Sequence, residues 1–379
     1  MGNENKLSSE EIQQISKPER LKSLDILRGF DMFWITGGEG LVFALGAATG
    51  WSFMKTVEEQ MHHVKWAGFH FYDLIFPLFI FIMGVAIPYA LTSKIEKGIP
   101  KVDLYKKVFK RFILLVIFGI LYNQAWLQNW SNPRIASVLG QIGFAYLFAA
   151  IIFINFPKLK SIIMWIIGIL VAYALIQLFV PVPGFGAGNI TPEGSFNAYF
   201  DQLFTPGRLI DETFDPEGIF NNISAIAIAL MGVTAGFILR QKNYSPYLKF
   251  TVLLATGLVL VGLTTVLKDW YPIIKKAWTS TFNLQAGGLS FILLAVFYLV
   301  IDVWKINKWG FYFMVIGVNP ITVYLGAAFI NFNFTSEALF GGFALLLGDY
   351  GPVLISLGTI GLIWGGLYLL YKNKIFLKV

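Results

Sequence analysis

The sequence predicts an all-α, polytopic helical membrane protein with about ten transmembrane helices. Three observations predict it. Of 379 residues, 56% are hydrophobic, 17% aromatic and only 13% charged, where a soluble domain carries about a quarter charged residues. Apolar runs recur at close to the roughly 20 residues that cross a hydrocarbon core. The basic residues gather in the short segments between those runs. The same numbers exclude disorder, collagen, coiled coil and a disulfide scaffold. With no cysteine in the chain, thiolate metal sites, iron–sulfur clusters and cysteine nucleophiles are excluded as well.

Residues 1–19 read as a polar cytoplasmic tail without the apolar core or cleavage motif of a removable signal, so the first span is expected to anchor the chain. Residues 20–379 read as a single transmembrane domain. Span 25–48 carries Asp25, Arg28 and Asp31 at helical spacing, close enough to pair. It then runs through Gly37-Gly38-Glu39-Gly40, where small residues point to close helix approach or a bend. Span 71–92 opens at Asp73, an acid at a helix N-terminus. Spans 109–125, 135–155 and 161–180 follow the basic segment 94–111. The loop 181–217, rich in Gly, Pro, Asn and Asp, is a natural cap over an extracytoplasmic cavity. Span 218–239 begins at Asp215-Pro216-Glu217-Gly218, which reads as a helix start with Asp215 capping and Glu217 facing the positive end or the cavity. Spans 248–267 and 283–303 precede 309–331, which Asn319-Pro320 interrupts, freeing a carbonyl near Ile316. Span 353–372 closes the set, and the shorter run 338–347 reads as a re-entrant or surface helix. No internal repeat is evident.

Charge sets the orientation. Alternate loops place 21 of the 29 lysines and arginines on one side and seven on the other, with Arg28 inside the first span. This bias puts both termini in the cytoplasm. It also explains the net charge of +7 without a nucleic-acid partner. The His62–His70 segment and the 181–217 loop then fall on the extracytoplasmic side.

Ionisable groups in spans are expensive and mark function. All three histidines lie between His62 and His70, and histidine is the side chain type suited to proton transfer at physiological pH, so that task falls most simply to one of them. His63, His70 and Asp73 lack the compact spacing of a helical zinc site, and no metal is expected. Asn319 beside a kink makes a polar pocket wall. Lys275-Lys276-Ala-Trp278-Thr279-Ser280 sets basic, aromatic and hydroxyl groups at the mouth of span 283–303. Residues alone leave a transporter and an intramembrane enzyme both open.

The run His63-x-x-Trp66-x-Gly68-x(4)-Asp73-Leu-x-Phe76-Pro77, continuing into Phe81-Ile-Met83-Gly84, resembles the signature of the heparan-alpha-glucosaminide N-acetyltransferase family and its bacterial relatives. The resemblance extends in order through Arg20-Leu-x-Ser23-Leu-Asp25-x-x-Arg28-Gly29, Arg134-Ile-x-x-Val138-Leu, Asp215-Pro-Glu-Gly218-Ile, Gly232-Val-x-Ala235-Gly236, Trp278-Thr and Asn319-x-Ile-x-Val-Tyr324. It implies an enzyme that takes the acetyl group of cytoplasmic acetyl-CoA to the amine of a terminal glucosamine-like sugar across the membrane. His63, which opens the motif, is then the catalytic base or acetyl carrier. The base makes the free amine from an ammonium that cannot attack a thioester.

On this reading Asp73 and Asn319 assist His63. Trp66, Glu217, Trp278, Ser280, Lys276 and Arg134 face the acceptor, and Arg20, Arg28, Lys107 and Arg111 meet the phosphates of acetyl-CoA. The resemblance also implies a homodimer. There are departures: Val138-Leu139-Gly140-Gln141 stands where the family reads Val-Leu-Gln-Arg, Thr36 precedes Gly37-Gly38, and the stretch before His63 is longer. The lumenal N-terminal domain is expected to be absent. The expected setting is therefore a bacterial inner membrane, with a periplasmic amino sugar or cell-wall fragment as acceptor. A transporter of amino sugars or N-acetylglucosamine, and O-acetylation of a glycan, are the competing readings.

Overall fold

The computed structural model describes residues 21–127 and 130–377, the side chains of 125–127 excepted. The tail 1–19 and Arg20 lie outside the described residues. Fifteen α-helices follow one another, with no β-strand among the described residues: α1 (Lys22–Phe33), α2 (Glu39–Thr49), α3 (Ser52–Met61), α4 (Tyr72–Glu96), α5 (Lys101–Leu127), α6 (Val138–Asn155), α7 (Leu159–Phe179), α8 (Phe196–Phe204), α9 (Ile219–Arg240), α10 (Pro246–Leu267), α11 (Ser280–Phe297), α12 (Phe311–Gly317), α13 (Pro320–Phe329), α14 (Phe332–Leu346) and α15 (Gly351–Lys372).

Among the described residues, eight helical stretches are long and apolar enough to cross a membrane, or nine if the bent pair α12–α13 is one span. These match nine of the ten expected segments. The remaining segment, 109–125, is the inner part of α5, whose first turns carry Lys101, Asp103, Lys106 and Lys107. The 338–347 run belongs to α14, which packs along α15.

The centre of the bundle is the α4–α9 pair, buried over 72% and 83% of their apolar windows, against 17% for α10 and α15 at the periphery. Apolar burial does not drive helices together in lipid, so close backbone approach must. A Cβ on Gly84 would lie 2.0 Å from the Ala229 carbonyl oxygen, and one on Gly232 2.1 Å from that of Phe81. A second glycine seam joins α1 to α12, where Gly29 and Gly317 would place a Cβ 1.7 Å from Phe313 O and 1.9 Å from Asp25 O.

Two interruptions shape the rest. Between α1 and α2 the helix widens into a π-turn over Trp34–Gly38, with Gly37 at φ 143°, a value only glycine takes without strain. This is the bend expected from the Gly-Gly-Glu-Gly stretch. Between α12 and α13 the chain turns through 74° at Asn319-Pro320, because proline cannot complete the ladder but is well placed as the first residue of a new helix. Beneath the His63 end of α4, a hollow of about 40 Å³ is lined by Met32, Ile35, Phe76, Phe79, Leu139 and the Tyr324 ring.

Candidate active site

His63 sits in the loop between α3 and α4. That loop is pinned to the segment before α11 by Gly68 N–H donating to Ile273 O (2.9 Å) and by the Ala67–Ile274 bridge. Gly68 has φ 130°, so glycine is required for this approach. Asp73, in the first turn of α4, is 1% exposed. Its Oδ1 lies 2.8 Å from His63 Nδ1, while Oδ2 accepts from His70 N–H (3.0 Å) and, at 3.5 Å, from Val64 N–H. A carboxylate only accepts, so the contact is a hydrogen bond in the tautomer with the proton on Nδ1, and in that tautomer Nε2 keeps its lone pair. The His63 side chain is 49% exposed, so that lone pair is open to an incoming group.

Lys275 completes the cluster. Its Nζ is 3.4 Å from Asp73 Oδ1, 2.9 Å from His63 Nδ1 and 3.2 Å from His63 Nε2. Burial lowers its affinity for a proton, against the opposing pull of Asp73 and Glu217. The ammonium of Lys275 thus lies against both nitrogens of the His63 ring and against the Asp73 carboxylate. Tyr72 stacks obliquely on the His63 ring at 4.9 Å and donates to Glu39 Oε2 (2.6 Å).

A second charged cluster lies alongside. Arg134, 6% exposed, donates from Nε to Asp215 Oδ2 (2.7 Å), from Nη2 to Asp215 Oδ1 (2.5 Å), and also to Glu217. Burial works against its charge, but the bond to Asp215 and the two carboxylates hold it above the ordinary arginine value. Burial pushes the Glu217 carboxyl up, with Arg134 opposing. Asp201 is pushed up to about 6 by burial, against hydrogen bonds from Asp215 N–H and the Thr205 hydroxyl. Asp215 does not cap α9 as its sequence context suggests: the cap position is Gly218, and the Asp215 carboxylate is drawn to Arg134, a stronger partner than an N-terminal amide.

The 181–217 loop reaches the histidine loop through Trp66, whose indole donates to Ile190 O (2.9 Å) and packs edge-on to Phe214. Lys276 pairs with Asp211 (3.1 Å) over the same Phe214 ring.

Other expected site residues lie in different surroundings. Trp278 is 1% exposed at φ 47°, and its carbonyl accepts from the Ser224 hydroxyl. The Ser280 hydroxyl donates to Leu170 O (2.7 Å). Asn319 binds the backbone of the C-terminal segment, donating to Ile375 O (3.0 Å) and accepting from Leu377 N–H (3.2 Å). Arg28 contacts Asp25 (3.4 Å) and Gly317 O (3.3 Å), while both oxygens of buried Asp31 have no hydrogen-bond partner. Lys107 is exposed on α5. Arg111, one turn on, lies over the Tyr146 ring at 4.3 Å with its Nε buried and unpartnered. The far end of α5 carries Asn123, which binds Arg134 O and Ala136 O. The rise of α5 puts Lys107 about 24 Å and Arg111 about 18 Å from the Arg134 end. Among the described residues no group of three or more acidic or histidine side chains could hold a metal ion.

Lys275 and Asp215 are the two site residues the sequence reading did not single out. Lys275 stood next to the residue chosen, Lys276, and nothing local tells which of two adjacent lysines turns inward. Asp215 was masked by its plausible role as a helix cap.

Fold and site together define a multi-pass helical membrane protein with a histidine–carboxylate–lysine cluster at one end of the bundle. Residues 20–189 match the model of a domain of unknown function (DUF5009). The chain is 29% identical over 365 residues to human heparan-alpha-glucosaminide N-acetyltransferase, covering 82% of this chain and 53% of the relative. It is 27% identical over 423 residues to the mouse protein of the same name, covering 96% of this chain and 61% of the relative. The resemblance carried by the motifs is thus borne out over most of the chain, although the chain spans only a little over half the length of these curated relatives.

Proposed function

We propose that this chain is a transmembrane N-acetyltransferase that acetylates the amine of an amino sugar on the extracytoplasmic face of a bacterial inner membrane, with both termini cytoplasmic and a homodimer as the working unit. The single observation that carries this reading is the His63–Asp73 pair, 2.8 Å apart, within the motif that resembles the signature of the N-acetyltransferase family. When bound, acetyl-CoA supplies an activated acetyl thioester. The chain's own residues then do the following. His63 Nε2 would take a proton from the acceptor ammonium, so that the amine nitrogen bears the lone pair that acyl transfer needs, and would return that proton to the thiolate released as the C–S bond breaks. Asp73 holds the imidazole by Nδ1 and stabilises the imidazolium that forms. The ammonium of Lys275 is near enough to offset negative charge on the reacting carbonyl oxygen. Glu217 and Arg134 shape the acceptor side, with Trp66 and Lys276 as its walls, while Trp278 and Ser280 support it from the buried side. Asn319 secures the break behind it.

Acetyl-CoA is proposed to bind at the opposite end: Arg111 has a buried, unpartnered Nε and Lys107 is exposed one turn away, and with Arg28, and with Arg20 outside the described residues, they are proposed to meet its phosphates. The test is transfer of radiolabelled acetyl from acetyl-CoA to glucosamine by the purified protein beside His63→Ala. Transfer by the wild type that disappears in a folded mutant supports the reading. Absence of both transfer and acetyl-CoA binding sinks it and favours an amino-sugar transporter, which needs no titrating base.

A further inference from the structure

Next to the His63 end of the bundle, a separate cavity of about 190 Å³ opens between α5, α6 and α9, beneath Thr205 and Pro206. At roughly 30 Å³ per water molecule this is the space of about six waters, enough for one sugar ring. Phe112, Phe144 and Ile219 supply apolar wall, while Gln141, Asn222 and Glu217 supply polar wall.

Gln141 decides what the cavity is for. It is 1% exposed, yet neither its Nε2 nor its Oε1 has a hydrogen-bond partner, and the buried Oδ1 of Asn222 is unpartnered too. A buried amide left unmatched is costly, and here the unmatched donors and acceptors border one space together with a carboxylate. The ligand that satisfies them carries hydroxyl groups, which both donate and accept, and an amine for Glu217. Its ring needs an apolar face for the phenylalanines. Gln141 also stands where the related motif has arginine, so this wall offers a neutral amide in place of a charge.

We propose that this cavity is the sugar-ring subsite of the acceptor, with Gln141 and Asn222 reading ring hydroxyls and Glu217 receiving the amine on the side nearest Lys275 and His63. The identity of the acceptor rests on the acetyltransferase reading; the subsite itself rests on the unpartnered amides.

The experiment is calorimetric binding of glucosamine and of methyl glucoside to the purified full chain in micelles without acetyl-CoA, followed by the acetyl-transfer KM for glucosamine. Glucosamine is expected to bind the wild type more tightly than methyl glucoside does. Gln141→Leu should weaken glucosamine binding at least tenfold and raise its KM by a similar factor. Gln141→Asn, which keeps a neutral amide with donor and acceptor, should lose less than the Leu variant. Asn222→Leu stands in if Gln141→Leu does not fold. Unchanged binding and KM in a folded Leu variant, or no glucosamine binding by the wild type, overturns the subsite and leaves a water-filled cavity. Glucosamine binding that Gln141→Leu abolishes, with no acetyl transfer by the wild type, upholds the subsite while the acetyltransferase reading fails.

Discussion

Replacing Asp73 by asparagine isolates the role of the carboxylate, because the two side chains have the same shape. Asp73 Oδ2 accepts from His70 N–H at 3.0 Å, so the asparagine oxygen is held there and its NH₂ group is turned toward His63 Nδ1. A donor facing Nδ1 forces that nitrogen to accept and moves the ring proton to Nε2, so the lone pair needed to deprotonate the acceptor is lost. Lys275, 3.4 Å from Oδ1, loses its counter-charge at the same time. General-base catalysis contributes about 10²–10⁴ in rate, so kcat for acetyl transfer should fall by that factor, or about 3–5 kcal/mol of barrier. The KM for glucosamine should change little. The assay is steady-state acetyl transfer by purified protein, with a thermal melt to show that the variant is folded. A folded Asp73→Asn with kcat within threefold of the wild type would refute the assignment of the ring proton and of Asp73 as its holder.

Arg134→Met leaves Asp215 and Glu217 buried without their counter-charge and should destabilise the fold by about 3–5 kcal/mol, read as a lower melting temperature in micelles; Arg134→Lys should recover little, since an ammonium cannot make the paired bonds to Asp215. Gly232→Val drives a side chain into the Phe81 carbonyl and should abolish monodisperse protein on size exclusion, whereas Gly262→Ala, which meets nothing within 4 Å, should behave as the wild type. Asp201, pushed up to about 6 in the fold from about 3.9 unfolded, binds its proton more tightly when native. Its contribution, at most about 3 kcal/mol, is therefore full below pH 4, is lost as pH rises to 6, and should vanish as a slope in Asp201→Asn melts taken across that window. The chain has no cysteine, so single cysteines at Arg208 and at Lys97 can be labelled with an impermeant maleimide in intact cells. The proposed orientation requires Arg208→Cys to react and Lys97→Cys to react only after permeabilisation.

The membrane spans were legible because each must satisfy its hydrophobicity within one stretch of chain, so composition alone marks α4, α6, α7, α9, α10, α11 and α15. The surface helices α3 and α8 were not legible. They are short, and their stability comes from docking on the bundle and not from a local pattern. The π-turn at Trp34–Gly38 showed only as a glycine cluster, since the widening depends on what packs against it. In the site, His63 and Asp73 are ten residues apart and meet because a loop closes back on the helix it precedes, a relation that motif spacing carries. Lys275 is 212 residues from His63 and Arg134 is 81 from Asp215, and no local feature encodes such pairings. Asn319, Ser280 and Trp278 were flagged as polar or bulky groups in apolar runs. In the fold the Asn319 and Ser280 side chains bind backbone groups, and the backbone carbonyl of Trp278 is met by the Ser224 hydroxyl, because in lipid a freed carbonyl or amide must find a side chain when it cannot find water.

The small hollow below Asp73 has an electrical consequence. At about 40 Å³ it has room for roughly one water molecule, but its lining of Met32, Phe76, Phe79 and Leu139 offers that water nothing to bind, so the space stays dry. Phe76 of that lining stands one turn along α4 from Asp73, so the carboxylate rests against a space without water, and its pull on the His63 ring is little screened.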